Sequence, residues 1–303
     1  MSVEDQSRAG VIAAICAFVF WGMAPVYWKQ LSAVPAFEVL SHRIIWSLLF
    51  VGLLISFQKG WGAFKAIFSS KRTMLLLTCS GLIIGGNWGL YIWAVNSNMV
   101  LQTSLGYYIT PLVSMLMGVL FFNDRIRPIQ MCAVLLVVAG VGNQIFMLGE
   151  LPWVSLVLAL SFALYGLFRK LANVESLAGL MFETILLAPF VFAYLIYLNS
   201  QGAGAFLSLG ITTDLYLVGA GVITSLPLLW FAYAACRIRL TTLGLLQYIA
   251  PSLAFLQGVF LFDEPFSMGH LITFLLIWSA LALYTGESWM QRSRTNFLHA
   301  EEA

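Results

Sequence analysis

Glu38, His42 and Arg43 stand close together in PAFEVLSHRIIWSLLF (35–50), a stretch otherwise apolar enough for a lipid bilayer. Glu38 and His42 are four positions apart, one turn of a helix, so a carboxylate would face an imidazole and the pair could hold or move a proton. Arg43 is a permanent cation able to receive an anionic group. Glu183, in SLAGLMFETILLAPF (176–190), is the other ionisable side chain well inside an apolar stretch; it could bind a cationic group or carry a proton. A charge at the centre of a bilayer costs ~2.5–3.5 kcal/mol on insertion scales, so each is expected to have an interior partner or to face water. Two readings of Arg43 and Glu183 stand side by side: substrate and proton binding, or a structural salt bridge and snorkelling. Glu38, only a turn into its stretch, is expected to be solvated at a mouth. If proton movement is coupled to what the chain does, Glu183 or His42 is the residue that carries the proton.

Polar and aromatic residues gather nearby in sequence: Asn87, Trp88 and Tyr91; Ser104, Tyr107, Tyr108 and Thr110; Thr224, Ser225 and Trp230; Gln247 and Tyr248. Trp21 and Tyr165 occupy matching places in FVFWG and FALYG. Together they describe an aromatic chamber with few fixed charges, suited to flat, amphipathic or zwitterionic small molecules. Individually, Asn, Gln and Tyr serve equally well as hydrogen bonds between helices. Gly81, Gly85 and Gly89 recur every fourth residue and leave a groove for close helix contact. Pro111 and Pro251 are expected near the middle of helices, freeing the carbonyls of Tyr107 and Gln247. In lipid such a break is tolerated beside a cavity or neighbouring protein, so the prolines read as a gating kink or as a packing kink.

The elements that carry these residues must be membrane helices. Hydrophobic residues make up 61% of the chain and charged ones 9%, with a mean hydropathy of +0.91. A water-soluble surface needs roughly a quarter of residues charged. The net charge of +2 gives no footprint for nucleic acid. Cys16, Cys79, Cys132 and Cys236 are dispersed through apolar stretches with no C-x-x-C, and read as small buried apolar residues outside any disulfide or metal site. Apolar runs of about 20 residues fall at 10–29, 36–57, 74–96, 101–122, 127–147, 152–170, 176–198, 213–236, 241–262 and 266–287. The first is expected to stay as an anchor, because Glu4 and Asp5 spoil a signal-peptide n-region and nine further runs follow. Lys and Arg cluster at Arg8, at Lys59–Arg72, at Arg125 and Arg127, at Arg169 and Lys170, at Arg237 and Arg239, and at Arg292 and Arg294. These are the N-terminal tail and every even-numbered exit, with Lys29 on the opposite side, so both termini are expected in the cytoplasm.

The sequence also repeats itself. YITPLVSMLMGVLFFND (108–124) matches YIAPSLAFLQGVFLFDE (248–264) at a constant offset of 140, with Tyr108/Tyr248, Pro111/Pro251 and Gly118/Gly258 identical. Five runs make one copy. Five is odd, so the second copy enters the membrane from the other side, and the basic turn after the first copy has no basic counterpart after the second. The expectation is an all-α membrane protein of ten transmembrane helices, built as two inverted five-helix repeats over 1–150 and 151–303. Inverted repeats of this kind are the signature of secondary transporters. The same offset sets Arg43 against Glu183.

FWGMAPVYWKQLSAVPAFEVLSHRIIWS (20–47), GGNWGLYIWAVNSNMVLQTSLGYYITPL (85–112) and RLTTLGLLQYIAPSLAFL (239–256) resemble the RarD-type proteins, of the EamA branch of the drug/metabolite transporter superfamily. The resemblance runs from about Gly10 to Glu287 and includes Glu38, His42, Arg43, Asn87, Trp88, Tyr107 and Tyr108. It implies a multi-pass transporter of the bacterial inner membrane, with a central cavity between halves and small metabolites, drugs or amino acids as cargo, moved outward. The expected function is a secondary carrier for small amphipathic or zwitterionic molecules by alternating access. The alternative is a facilitated-diffusion channel or a uniporter without proton coupling. No nucleophile–base pair, metal cluster or phosphate loop is identifiable, so no enzyme activity, catalytic residue, metal or cofactor is expected. The partners expected are the substrate and the lipid bilayer; a homodimer is compatible with the sequence and not required by it.

Overall fold

The apolar runs become helices because lipid offers the backbone no hydrogen bonds, so each segment must satisfy its own N–H and C=O groups. The computed structural model describes residues 3–122, 128–235, 238 and 246–301, and all secondary elements there are helical. In chain order they are α1 (Val3–Gly22), α2 (Ala24–Lys29), α3 (Ala36–Phe57), α4 (Trp61–Ile67), α5 (Lys71–Asn96), α6 (Val100–Phe122), α7 (Pro128–Leu148) and α8 (Trp153–Ala172). They continue as α9 (Ser176–Ser200), α10 (Ile211–Ala235), α11 (Ile249–Phe260) and α12 (Met268–Glu301). Among the described residues, eight candidate spans are long and apolar enough to cross a membrane; α1 and α2 count together as one (Arg8–Lys29), and α11 and the apolar part of α12 are shorter. The basic positions 125, 127, 237 and 239, Cys236 and the side chains of Arg292 and Arg294 lie outside the described residues.

Several boundaries differ from the sequence expectation for local reasons. The first run is two helices, because Pro25 has no N–H for the ladder and the chain turns at Met23. A short helix, α4, lies between the second and third runs, its Trp61, Phe64 and Phe68 rings in edge contact and Phe68 reaching Phe182 of α9 at 5.9 Å. Ser70 begins α5 by accepting the Thr73 N–H. The prolines part company. Pro111 sits inside a continuous α6, whereas Pro251 falls in the first turn of α11, directly after a turn at Gln247 and Tyr248. A first-turn proline lacks an N–H that would have no intrahelical partner anyway. Cys16 and Cys132 are exposed rather than buried, which an apolar thiol tolerates on an apolar surface. That surface carries Phe57, Leu120, Phe146, Phe190 and Phe260.

The principal packing pairs are α7 with α12, α6 with α8 and α11, α5 with α8 and α9, α3 with α9 and α10, and α1 with α10 and α11. Small residues set the close approaches. Gly81 and Gly85 face Glu183, Leu186 and Leu187 of α9, and Gly89 faces Leu40 of α3, so the glycine groove is used as its spacing suggested. Two further glycines admit backbone itself. A Cβ on Gly106 would lie 2.9 Å from the Ser155 carbonyl oxygen, and one on Gly221 would lie 2.6 Å from that of Trp46. Gly221→Ala must push α10 off α3, and is expected to cost ~1–3 kcal/mol. Gly142→Ala, where nothing lies within 4 Å, should be neutral. Thermal unfolding of the two variants in detergent distinguishes them; equal melting temperatures would show that the α3–α10 contact yields.

Candidate functional site

Arg43, on α3, lies against Trp28 of α2 and Trp88 of α5, both of the largest buried cluster, which gathers side chains of α2, α3, α5, α6, α8, α9, α10 and α11. It is 9% exposed. Its guanidinium carbon is 4.3 Å from the ring centroid of Trp88 and 5.2 Å from that of Trp28. The phenols of Tyr107 and Tyr91 are its electrostatic neighbours, their rings in edge contact at 5.8 Å. Among the described residues no carboxylate lies within 4.0 Å of Arg43, and its Nε is buried without an acceptor. A desolvated cation–π contact is worth about 2 kcal/mol, while stripping water from an ion costs several kcal/mol even after relaxation. The rings therefore compensate part of the burial and leave the buried Nε–H without an acceptor. Sequence analysis did not single out Trp28; the signal was Pro25, whose break turns α2 so that Trp28 points inward.

Glu183 occupies a separate centre. Its carboxylate accepts a hydrogen bond from Ser80 Oγ at 2.5 Å and lies 3.7 Å from Arg169 Nη1, with Tyr165 alongside. It is 1% exposed. The ion-pair partner of Glu183 is thus Arg169, not Arg43. Arg169 had the look of a loop cation, but its guanidinium folds back across Gly179, where a Cβ would collide with it, and donates to the Ser176 carbonyl at 3.1 Å. Ser80 and Trp88, which touch the two centres, are both on α5, which sets the centres roughly 12 Å apart along that helix at 1.5 Å per residue.

The structure brings Arg43, Trp88, Tyr91 and Tyr107 together, and Tyr165 with Glu183. The other expected residues are placed elsewhere. Asn87 is a helix clamp, donating to the Leu158 carbonyl at 3.1 Å and to Ser161 at 2.8 Å. Tyr108 shares a hydrogen bond with Ser252 at 2.6 Å and stacks on Tyr248 at 6.2 Å; with Phe255 and Trp278 they line a shallow surface cleft. Gln247 lies in the turn before α11. Trp21 packs on Phe18 and Phe231, and Trp230 on Phe20.

Glu38 is not solvated: it is 1% exposed, and its Oε1 accepts the Ala205 N–H at 2.6 Å. Nor does it serve His42. The acid facing His42 is Asp214, which itself accepts the Leu207 N–H at 2.7 Å. Between these two anchored amides, Phe206 lies against the His42 ring at 4.9 Å and near Trp46 at 6.4 Å. The segment 201–210 is therefore a strap fastened over the start of α3. At the start of α6, Glu264 does the same work, accepting the Val100 and Leu101 N–H groups at 2.6 and 2.8 Å. A carboxylate at a helix start meets free N–H groups and the positive end of the dipole. Glu38→Ala should release one anchor. Amide exchange across 204–208 is expected to rise roughly tenfold to a hundredfold, the equivalent of losing a charge-assisted hydrogen bond, while α7 is unchanged. Unaltered exchange would show that the strap is held by its apolar contacts.

Residues 8–142 match the sequence profile of the EamA-like transporter family. Over nearly the whole chain there is similarity to an uncharacterized transporter of Vibrio cholerae, 42% identical and covering 93% of both chains. Protein RarD of Escherichia coli strain K12 is 40% identical, covering 96% of this chain and 98% of that one. The chloramphenicol-sensitive protein RarD of Pseudomonas aeruginosa is 30% identical, over 91% and 93%. A crystal structure of 19% identity has the same fold, with a TM-score of 0.58 over 91% of this chain and 95% of that one. Identity at this level along the full length, joined to a set of apolar helices able to cross a bilayer, makes this chain a multi-pass membrane protein of the EamA-like transporter family, alongside the RarD proteins.

Proposed function

We propose that the chain is a secondary carrier for small amphipathic or zwitterionic metabolites, working by alternating access between two inverted five-helix halves, 1–150 and 151–303. One observation carries this reading. Each major contact between the halves has a counterpart when the helices of the first half are exchanged for those of the second: α1–α10 becomes α8–α5, α3–α10 becomes α9–α5, and α1–α11 becomes α8–α6. The remaining major contacts, α3–α9, α6–α11 and α7–α12, join counterparts to each other, as does the Tyr108–Tyr248 stack. Such exchange symmetry is what lets two halves swap conformations and turn a cavity from one side to the other. The start of α11 directly after a turn at residues 247–248 also fits, since helix ends inside a transporter fold are where sites are built. The basic clusters support an inner-membrane protein with both termini in the cytoplasm, and the family resemblance supports outward movement.

In this reading Arg43 faces the substrate and Glu183 carries the coupling proton. Glu183 suits that task because its buried carboxylate has a hydroxyl donor and an arginine at 3.7 Å, a contact long enough to leave protonation available. Flux of a panel of amino acids and aromatic acids through proteoliposomes tests the carrier. Saturable uptake that shows counterflow is expected, and linear uptake without counterflow would make the protein a channel. Glu183→Gln should abolish flux driven by a pH gradient and spare exchange of labelled for unlabelled substrate. Unchanged proton-driven flux in this variant would assign coupling elsewhere or leave a uniporter.

A further inference from the structure

The carrier reading leaves the chemistry of the cargo open, and the surroundings of Arg43 narrow it. Among the described residues each buried acid has at least one oxygen held by protein, although Glu38 Oε2 and Glu183 Oε2 have no partner. Glu38 and Asp214 each hold a strap amide, Glu264 holds two helix-start amides, and Glu183 holds Ser80 beside Arg169. Arg43 stands apart: it is a permanent cation with its Nε buried and unpartnered, pressed against two indole rings that offer no hydrogen-bond acceptor. Ring faces engage the flat side of a guanidinium, whereas its N–H donors act in its plane. A planar carboxylate is the group that matches that fork, with two parallel hydrogen bonds. Tyr91 and Tyr107, hydroxyl donors beside it, extend the same preference for an acceptor. The side chains around Arg43 are aromatic, which favours a flat, apolar body for the rest of the ligand.

We propose that Arg43 is the receptor for the carboxylate of a small aromatic monoanion, and that Trp28 and Trp88 hold the guanidinium in place for it. This rests on the carrier reading for its purpose, but not for its test. A residue kept for a ligand and left without a protein acceptor is a burden on the empty protein, since replacing an uncompensated buried charge by an apolar side chain stabilises.

Labelled phenylacetate binding to the purified full chain is measured by scintillation proximity, with unlabelled phenylacetate, phenylacetamide and phenethylamine as competitors of nearly one shape and different charge. Phenylacetate is expected to compete at least about tenfold better than the neutral amide or the amine, in line with a charge-assisted pair. Arg43→Met should abolish this discrimination and raise the melting temperature of the ligand-free protein; Arg43→Lys should retain a weakened preference for the acid. Equal competition by all three compounds overturns the proposal. So does an Arg43→Met protein that melts lower and binds phenylacetate normally, because Arg43 would then be a packing element. Counterflow of the same compounds is measured in parallel. Binding with acid selectivity but no counterflow supports the receptor and counts against the carrier; counterflow with no preference for the acid supports the carrier and overturns the receptor.

Discussion

Lipid is as apolar as the side chains that face it, so hydrophobic burial alone gives these helices little reason to associate. What remains is close contact and the pairing of polar groups. Both are visible at the same places. The glycines of α5 let α9 approach until Glu183 reaches Ser80, and Gly106 lets α6 settle on the backbone of α8 near Ser155, whose hydroxyl donates to the Gln102 carbonyl. Asn87 and the Ser104–Pro251 hydrogen bond fasten further helix pairs. Gly81 and Gly106 each sit beside a polar contact, and there the packing and the polar network are one system.

The same solvent decides what the acids do. A carboxylate placed in lipid without partners would be costly, and backbone N–H groups at the start of a segment are equally in need. Glu38, Asp214 and Glu264 answer both needs together. Two of these anchors cross the molecule: Glu38 of α3 holds the strap before α10, and Glu264 after α11 holds the start of α6. Lys29 joins the second group through Asn98 and lies over the Phe262 ring at 5.1 Å. With those acids committed to architecture, the ionisable groups left for chemistry among the described interior residues include Arg43, His42 and the Glu183–Arg169 pair.

Much of this was legible in residue order. Apolar run length announced the helices, the four-residue glycine spacing announced the groove on α5, and Arg43 and Glu183 stood out because charge in such a run is rare. The misreadings share a cause. Glu38 and Arg169 sit at the ends of their runs, where position along one helix implies water; instead the strap 201–210 buries Glu38, and Arg169 folds across Gly179 towards Glu183. Trp28 went unnoticed because its role depends on the turn at Met23. Asn87 and Tyr108 were correctly seen as interior, yet interior polar groups have two uses, and only their neighbours tell a clamp from a binding residue.

The sequence by itself determined the solvent, the helical class and which residues carry charge into the apolar interior, because those follow from composition and period along a single segment. Tertiary structure alone decided partnership: that Glu183 belongs to Ser80 and Arg169, that Glu38 belongs to a strap amide, and that Arg43 meets indole rings and no carboxylate. Partnership turns on distances of 2.5–4.3 Å between segments far apart in the chain, and repeat alignment could equate positions 43 and 183 without revealing what stands beside either.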